Sequence, residues 1–191
     1  MSKIYTPLGA SNHCKDEREK DDFYATDPVA IDKLFEKEQF HYHIWEPACG
    51  MGHLSKRMIE LGHDVLSTEL VDRGYGITGV NFFDCKECFD GDIITNPPYS
   101  KGLDFVKKAL DCIKPGRKVA MFLKLLFLEG KSRREFYEDN PPARIYVFSS
   151  RITCAKNGDF EAIKENGGSA VCYAWFVWEK GFKGKPVIDW I

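Results

Sequence analysis

Residues 118–127 read KVAMFLKLLF, an apolar run interrupted by one lysine and showing no apolar–polar alternation. A strand with one wet face alternates, whereas a strand covered on both faces reads as an unbroken apolar run. Further runs of the same kind recur at HIWEPA (43–48), DVLSTEL (64–70), DIITNPP (92–98), ARIYVFS (143–149) and AVCYAWFVWEK (170–180), the last being the longest, with GITGV (76–80) as a weaker seventh. Helical patterns lie between most of them. Asp27 is placed as an N-cap with Pro28 at the first helical position, followed by apolar Val29, Ile31, Leu34 and Phe35. Further helices are expected over about Gly52–Leu61, with Gly62 as the stop, over Gly102–Ile113 and over Ser132–Asp139. This alternation predicts an α/β fold, a doubly wound and mostly parallel sheet covered by helices on both faces. The last two runs lack a crossover helix, so they are expected to form an antiparallel hairpin at the C-terminal edge, joined by residues 151–169.

A chain of 191 residues suits one domain with a substantial core. Residues 1–22 end in the charged stretch CKDEREKDD and carry no apolar period, so they are expected to be a flexible arm, leaving 23–191 as the domain. No apolar stretch approaches the ~20 residues that cross a bilayer. The start, Met1-Ser2-Lys3-Ile4-Tyr5, has no signal-peptide core. A cytoplasmic protein without membrane contact is expected. Seven cysteines, an odd number with several inside apolar runs, read as reduced thiols. Cys85 and Cys88 form a lone C-x-x-C with no second pair at zinc spacing, so no metal is expected.

The net charge is only −2, but it is unevenly spread. Residues 1–100 hold 10 basic and 18 acidic side chains, residues 101–151 hold 12 and 6, and residues 152–191 hold 5 and 5. Part of the basic excess belongs to solvated helix faces. Another part is expected to attract phosphate, with Lys101, Lys124, Lys131, Arg133, Arg134, Arg151 and Lys156 as the candidates.

In a doubly wound sheet, ligands bind at the carboxyl ends of the strands. Three polar signals fall there. EPACGMG, from Glu46, brings Gly50 and Gly52 into a tight strand-to-helix turn; its G-x-G spacing lacks the third glycine of the dinucleotide fingerprint. Glu69 ends the second apolar run, where a carboxylate can accept from both ribose hydroxyls, with Asp72 as a rival. Asn96-Pro97-Pro98-Tyr99 leaves the DIIT run in a rigid corner, because neither proline can donate to a sheet ladder. The Asn96 side-chain oxygen and the Pro97 carbonyl can each accept one N–H of a planar amine, and Tyr99 offers a ring to stack on.

In their order, FYATDP, EPACGMG, TEL and NPPY resemble class I S-adenosylmethionine-dependent methyltransferases of the DNA adenine-N6 type. WEPACGMGHLSKRM, DRGYGITGV, DIITNPPYS, MFLKLLFLEG and YAWFVWEKG look closer still to small adenine methyltransferase-like proteins of bacteriophages. The likeness spans about Phe23 to Gly181. It implies a seven-stranded Rossmann-like sheet, S-adenosylmethionine as cofactor, and DNA as partner in a bacterial or phage-infected cell. It assigns Tyr24 and Thr26 to the methionine part of the cofactor. Glu46, Pro47, Ala48, Gly50 and Gly52 go to its amino-acid end, and Glu69 to its ribose. Asn81 and Phe82 go beside its adenine, although the family usually has Asp where Asn81 stands. Asn96, Pro97, Pro98 and Tyr99 are the implied catalytic set. The family often has an aromatic residue in the loop after the penultimate strand; SSRITCAKNG offers Cys154-Ala155 and no ring before Phe160. The other readings are methylation of an RNA base amine or a protein glutamine, or a non-catalytic cofactor-binding subunit. At 191 residues no separate recognition domain is expected, and a short or degenerate adenine context is expected accordingly.

Overall fold

The first helix begins where Asp27 accepts from the Val29 N–H at 3.1 Å, the arrangement that satisfies an otherwise orphaned donor at a helix start. In the computed structural model, which describes residues 25–155 and 171–191, this helix, α1, spans Val29–Phe35 and buries Ala30, Ile31 and Leu34. The strands, in chain order, are β1 (Ala25–Thr26), β2 (His43–Glu46), β3 (Asp64–Glu69), β4 (Ile77–Thr78), β5 (Asp92–Thr95), β6 (Lys118–Lys124), β7 (Arg144–Val147), β8 (Cys154–Ala155), β9 (Tyr173–Glu179) and β10 (Val187–Trp190). Helices α2 (His53–Glu60), α3 (Gly102–Cys112) and α4 (Lys131–Asp139) lie between them. The two short strands β1 and β8 pair only with each other. The expected arm, residues 1–22, lies outside the described residues, as do Tyr24 and Lys156.

The main sheet runs β10-β7-β9-β6-β5-β2-β3-β4. Only β9 is antiparallel, to β6 on one side and β7 on the other. From β2 the chain first builds outward through β3 and β4, then returns to lay β5 and β6 on the other side. The switch point is therefore between β2 and β5, where Glu46 and Asn96 leave the sheet.

The runs in β5, β6 and β9 are buried on both faces, as their pattern requires, whereas β3 and β4, towards the edge of the sheet, leave Leu66 and Ile77 exposed. Met121 and Phe122 are adjacent in β6 and both fully buried. Met121 packs with Trp45, Val106 and Phe176 on one face, and Phe122 with Ile31, Met58 and Trp175 on the other. The buried indoles keep their N–H groups satisfied: Trp175 donates to Ala30 O at 2.8 Å and Trp178 to Asn140 O at 3.1 Å.

The expected antiparallel pair is present as β7 and β9, but among the described residues the sheet has eight strands where seven were expected, because β10 adds in parallel along the outer side of β7. VIDW shows no periodicity because Val187, Ile188 and Trp190 are all exposed. The apolar run 118–127 also stops being a strand earlier than it reads. Lys124 pairs with Tyr173, the first residue of β9, and one further bond, from the Leu125 N–H to Cys172 O at 2.8 Å, follows before the chain turns. Leu125–Leu128 instead coil into a 3-10 turn that leaves Leu126 and Leu128 exposed.

Candidate active site

A cavity of about 260 Å³ opens at the switch point, at the carboxyl ends of β2, β3 and β5. Of the residues assigned to a cofactor from the sequence, Thr26, Glu46, Pro47, Ala48, Glu69, Asn81 and Phe82 line it. From the NPPY corner, Asn96, Pro97 and Pro98 reach the same wall.

Gly50 and Gly52 shape the turn without forming the cavity wall. Both have positive φ, 54° and 79°, which favours glycine. A Cβ on Gly52 would meet Tyr75 Cδ1 at 2.2 Å, so the close approach that Gly52 permits is that of the Tyr75 ring. Lys56 Nζ covers that ring at 4.8 Å. The Gly50 N–H donates to Glu69 Oε2 at 2.8 Å and locks the turn to the end of β3.

Glu69 is buried, and its other oxygen accepts from the Leu70 N–H at 2.8 Å and the Val71 N–H at 3.3 Å. A carboxylate offers about four acceptor sites, so hydroxyl groups on a ligand would join or replace these amides. Asp72 is exposed, stands apart from the cavity, and accepts from the Gly74 N–H at 2.9 Å in a turn of its own.

Glu46 is 2% exposed. Burial raises its carboxyl to about 8, with nearby Glu69 adding to the shift and hydrogen bonds from Ser55 opposing it. The Ser55 hydroxyl donates to Glu46 and lies 2.6 Å from the Ser67 hydroxyl. Glu46 therefore holds a proton near neutral pH unless a cation arrives. Burial, then Glu46 and Glu69, push the neighbouring Cys49 thiol up to about 12. It is no thiolate nucleophile.

Asn81 caps the short turn Phe82–Asp84. Its side-chain oxygen accepts from the Phe83 N–H at 3.2 Å and its nitrogen donates to Asp84 at 3.0 Å. The oxygen expected to meet an adenine amine is thus already an acceptor within the fold. Phe82 is buried edge-on to Trp45, with ring centroids 5.1 Å apart.

At the NPPY corner, Asn96 Nδ2 donates to Thr26 Oγ1 at 2.8 Å. The Lys101 N–H closes a 3-10 turn on Pro98 O at 2.9 Å. Tyr99 is half-buried away from the cavity wall. Its ring carries Lys124 Nζ at 4.6 Å and lies 5.9 Å from the Tyr173 ring, and its hydroxyl is 3.8 Å from Cys154 Sγ. Burial, then Cys154 and Tyr173, raise the phenol well above its ordinary value.

The basic candidates divide. Lys101 lines the cavity, and Lys131, Arg134 and Arg151 are exposed. Arg134 faces Glu138 at 3.3 Å, and Arg151 reaches Cys172 Sγ at 2.8 Å. Arg133 packs over the Phe127 ring at 5.1 Å and donates to Leu126 O at 3.4 Å, which ties it into the fold.

His53 and Arg73 also line the cavity, and neither emerges from motif reading. Burial, then Lys56, lower His53, with Asp27 opposing; a neutral imidazole opens α2. The available signals were His53's place directly behind the glycine turn and Arg73's four residues after Glu69. Among the described residues no group of three or more His, Cys, Asp or Glu side chains could hold a metal ion. No helix among them is long and apolar enough to cross a membrane.

No protein-family model and no curated protein matches the sequence. Solved structures do match. A protein named as an RNA methyltransferase from Pyrococcus horikoshii aligns at 14% identity and a TM-score of 0.53, over 81% of both chains. One named as the modification subunit of a type I restriction enzyme from Vibrio vulnificus aligns at 12% identity and a TM-score of 0.60, over 88% of this chain and 47% of that one. One named as a class I S-adenosylmethionine-dependent methyltransferase from Listeria monocytogenes aligns at 14% identity and a TM-score of 0.51, over 86% and 62%. The chain thus spans under half of the Vibrio subunit and less than two thirds of the Listeria protein. The chain shares its fold, a Rossmann-like and mostly parallel α/β sheet, with these structures.

Proposed function

We propose that this protein is an S-adenosylmethionine-dependent methyltransferase acting on the N6 amino group of adenine in DNA, in a short or degenerate sequence context. The observation that carries the reading is the Asn96 amide, held by Thr26 on the wall of the cavity that Glu46 and Glu69 also line. The donor set fits the cofactor. A buried carboxyl at Glu46 suits a ligand ammonium, a carboxylate at the end of β3 suits a ribose, and the wall between Phe82 and Pro97 is apolar enough for a purine.

When bound, the cofactor supplies a methyl group on a positively charged sulfur. The protein's work is then positioning and electrostatics. Asn96 Oδ1 and Pro97 O accept the two N–H bonds of the acceptor amine, which turns the nitrogen lone pair out of the ring system. So held, the nitrogen would be placed to take the methyl group that the cofactor would supply, and the N–H proton released from the methylated amine would pass to water. No covalent enzyme intermediate is needed, in keeping with the protonated state of Cys49. Lys101, Lys131 and Arg134 draw phosphate towards this end of the sheet.

Incubation with labelled S-adenosylmethionine and a panel of duplex DNA, single-stranded DNA, RNA and peptide, followed by nucleoside analysis, tests the proposal. N6-methyladenine in DNA is the expected product. Label confined to RNA or to glutamine would assign the acceptor to another class. Absence of label in every arm, with the cofactor bound, would favour a non-catalytic subunit.

A further inference from the structure

Thr26 and Cys154 are register partners in the small β1–β8 sheet, and the Asp27 N–H continues the pairing to Thr153 O at 3.1 Å. Each partner reaches one end of the NPPY corner. Thr26 Oγ1 accepts from Asn96 Nδ2 at 2.8 Å, and Cys154 Sγ lies 3.8 Å from the Tyr99 hydroxyl. Both residues are buried, so water does not readily replace either contact.

An amide side chain can sit in two orientations that exchange its oxygen and nitrogen. Only one turns the oxygen to an acceptor amine. A hydroxyl alone does not choose between them, because it both donates and accepts. The choice is made by where the hydroxyl proton goes. As register partners in an antiparallel pair, Thr26 and Cys154 turn their side chains to the same face, which puts the Cys154 sulfur beside the Thr26 hydroxyl; burial raises that thiol to about 11. If Thr26 gives its proton to the Cys154 sulfur, it presents a lone pair to Asn96 and takes the N–H end of the amide, the arrangement in which Asn96 Nδ2 lies 2.8 Å from Thr26 Oγ1.

We propose that Thr26 and Cys154 are a positioning pair for the acceptor site, with Thr26 setting the flip of the Asn96 amide and Cys154 orienting both Thr26 and the Tyr99 ring. The resemblance read from the sequence gives Thr26 to the methionine part of the cofactor instead. The inference rests on the reading that Asn96 receives the acceptor amine.

The test compares Thr26→Val, Thr26→Ser, Cys154→Ala and Cys154→Ser in the full chain. One readout is independent of activity: the side-chain amide resonances of Asn96 in ¹⁵N-labelled protein, identified by their loss in Asn96→Asp. They should shift and exchange faster with solvent in Thr26→Val and return in Thr26→Ser. The second readout separates steps. In Thr26→Val, kcat should fall by about 10- to 100-fold, the scale of a small misplacement at a reacting group. Calorimetric affinity for the demethylated cofactor should hold within about twofold, since no uniform binding is removed. Cys154→Ala should lower kcat less, and Cys154→Ser, which keeps an acceptor, should recover it. An unchanged Asn96 resonance in folded Thr26→Val overturns the pair, whatever the activity. Lost cofactor affinity with kcat intact also overturns it and returns Thr26 to the cofactor. Should the wild type methylate no acceptor at all, the function reading fails and the resonance alone decides the pair.

Discussion

Glu69 shows how one side chain serves the fold and the candidate site together. Its three backbone donors, Gly50, Leu70 and Val71, tie the glycine turn to the end of β3, at the wall of the cavity. Glu69→Ala should weaken binding of the demethylated cofactor by about 1.5–3 kcal/mol, the scale of a charge-assisted hydrogen bond; unchanged affinity by calorimetry in a folded variant would remove Glu69 from the site. Asn96→Ala should abolish methyl transfer while cofactor affinity stays within a few fold, and near wild-type turnover would defeat the NPPY mechanism. Tyr99→Phe should be tolerated, since it keeps the ring under Lys124 and gives up only a 3.8 Å approach to sulfur. Glu46 confers a pH dependence. Its folded value of about 8 exceeds the ordinary 4.5, so its contribution to stability is fully present below about 4.5 and is lost as pH rises through 8. A ligand ammonium beside Glu46 would favour the carboxylate, so binding should release a proton near neutral pH and tighten towards pH 8. Calorimetry in buffers of different ionisation enthalpy measures that proton, and Glu46→Gln should eliminate it.

Among the elements, the end of the sheet opposite the cavity is held by two buried carboxylates, Asp92, which accepts from the His41 and Lys118 N–H groups at 2.6 and 2.7 Å, and Glu38. Glu38, in the loop after α1, accepts from Lys118 Nζ at 2.7 Å, from Tyr146 at 2.7 Å and from Arg144. Lys118 opens β6 and Arg144 opens β7, so Glu38 staples two strands that sequence places far apart. Burial raises its pKa, but the bonds from Lys118, Tyr146 and Arg144 outweigh that and leave it lowered. The stabilisation is therefore complete above the ordinary 4.5 and is lost as pH falls through the lower folded value. Glu38→Ala leaves Arg144 with Glu179 and Lys118 with the Gln39 carbonyl, so the loss should fall at or below the about 3–5 kcal/mol of breaking a buried pair outright. Urea unfolding of the variant should show that loss at pH 7 and a smaller one in acid; equal stability at both would mean that the cluster contributes little.

At the scale of the molecule, net charge conceals a division, with acidic residues concentrated before residue 101 and basic ones from 101 to 151. Phosphate contacts position a nucleic acid without reading its bases. Charge reversal at Lys131 and Arg134, both exposed, should weaken DNA binding alike across sequences and lower the slope of its salt dependence by about one for each phosphate no longer neutralised. Arg133 should matter through folding instead, because it packs on Phe127. Methylome sequencing of expressing cells should show a short adenine context, and a single motif of six or more defined bases would defeat that expectation.

Local pattern alone determined the run of strands and helices, the parallel sheet and the polar signals at three strand ends. Those features depend on periodicity and on what glycine and proline permit, which any stretch of chain displays by itself. Tertiary structure decided the rest, because it depends on neighbours remote in sequence. β10 forms through its pairing with β7, and the strand at 118–124 gives way to a 3-10 turn just past its last register pair, Lys124 with Tyr173. Gly52 reads as space for a ligand until the Tyr75 ring fills it. Thr26 meets Asn96 across 70 residues, a meeting that no spacing rule contains and that packing of β1 against β8 creates.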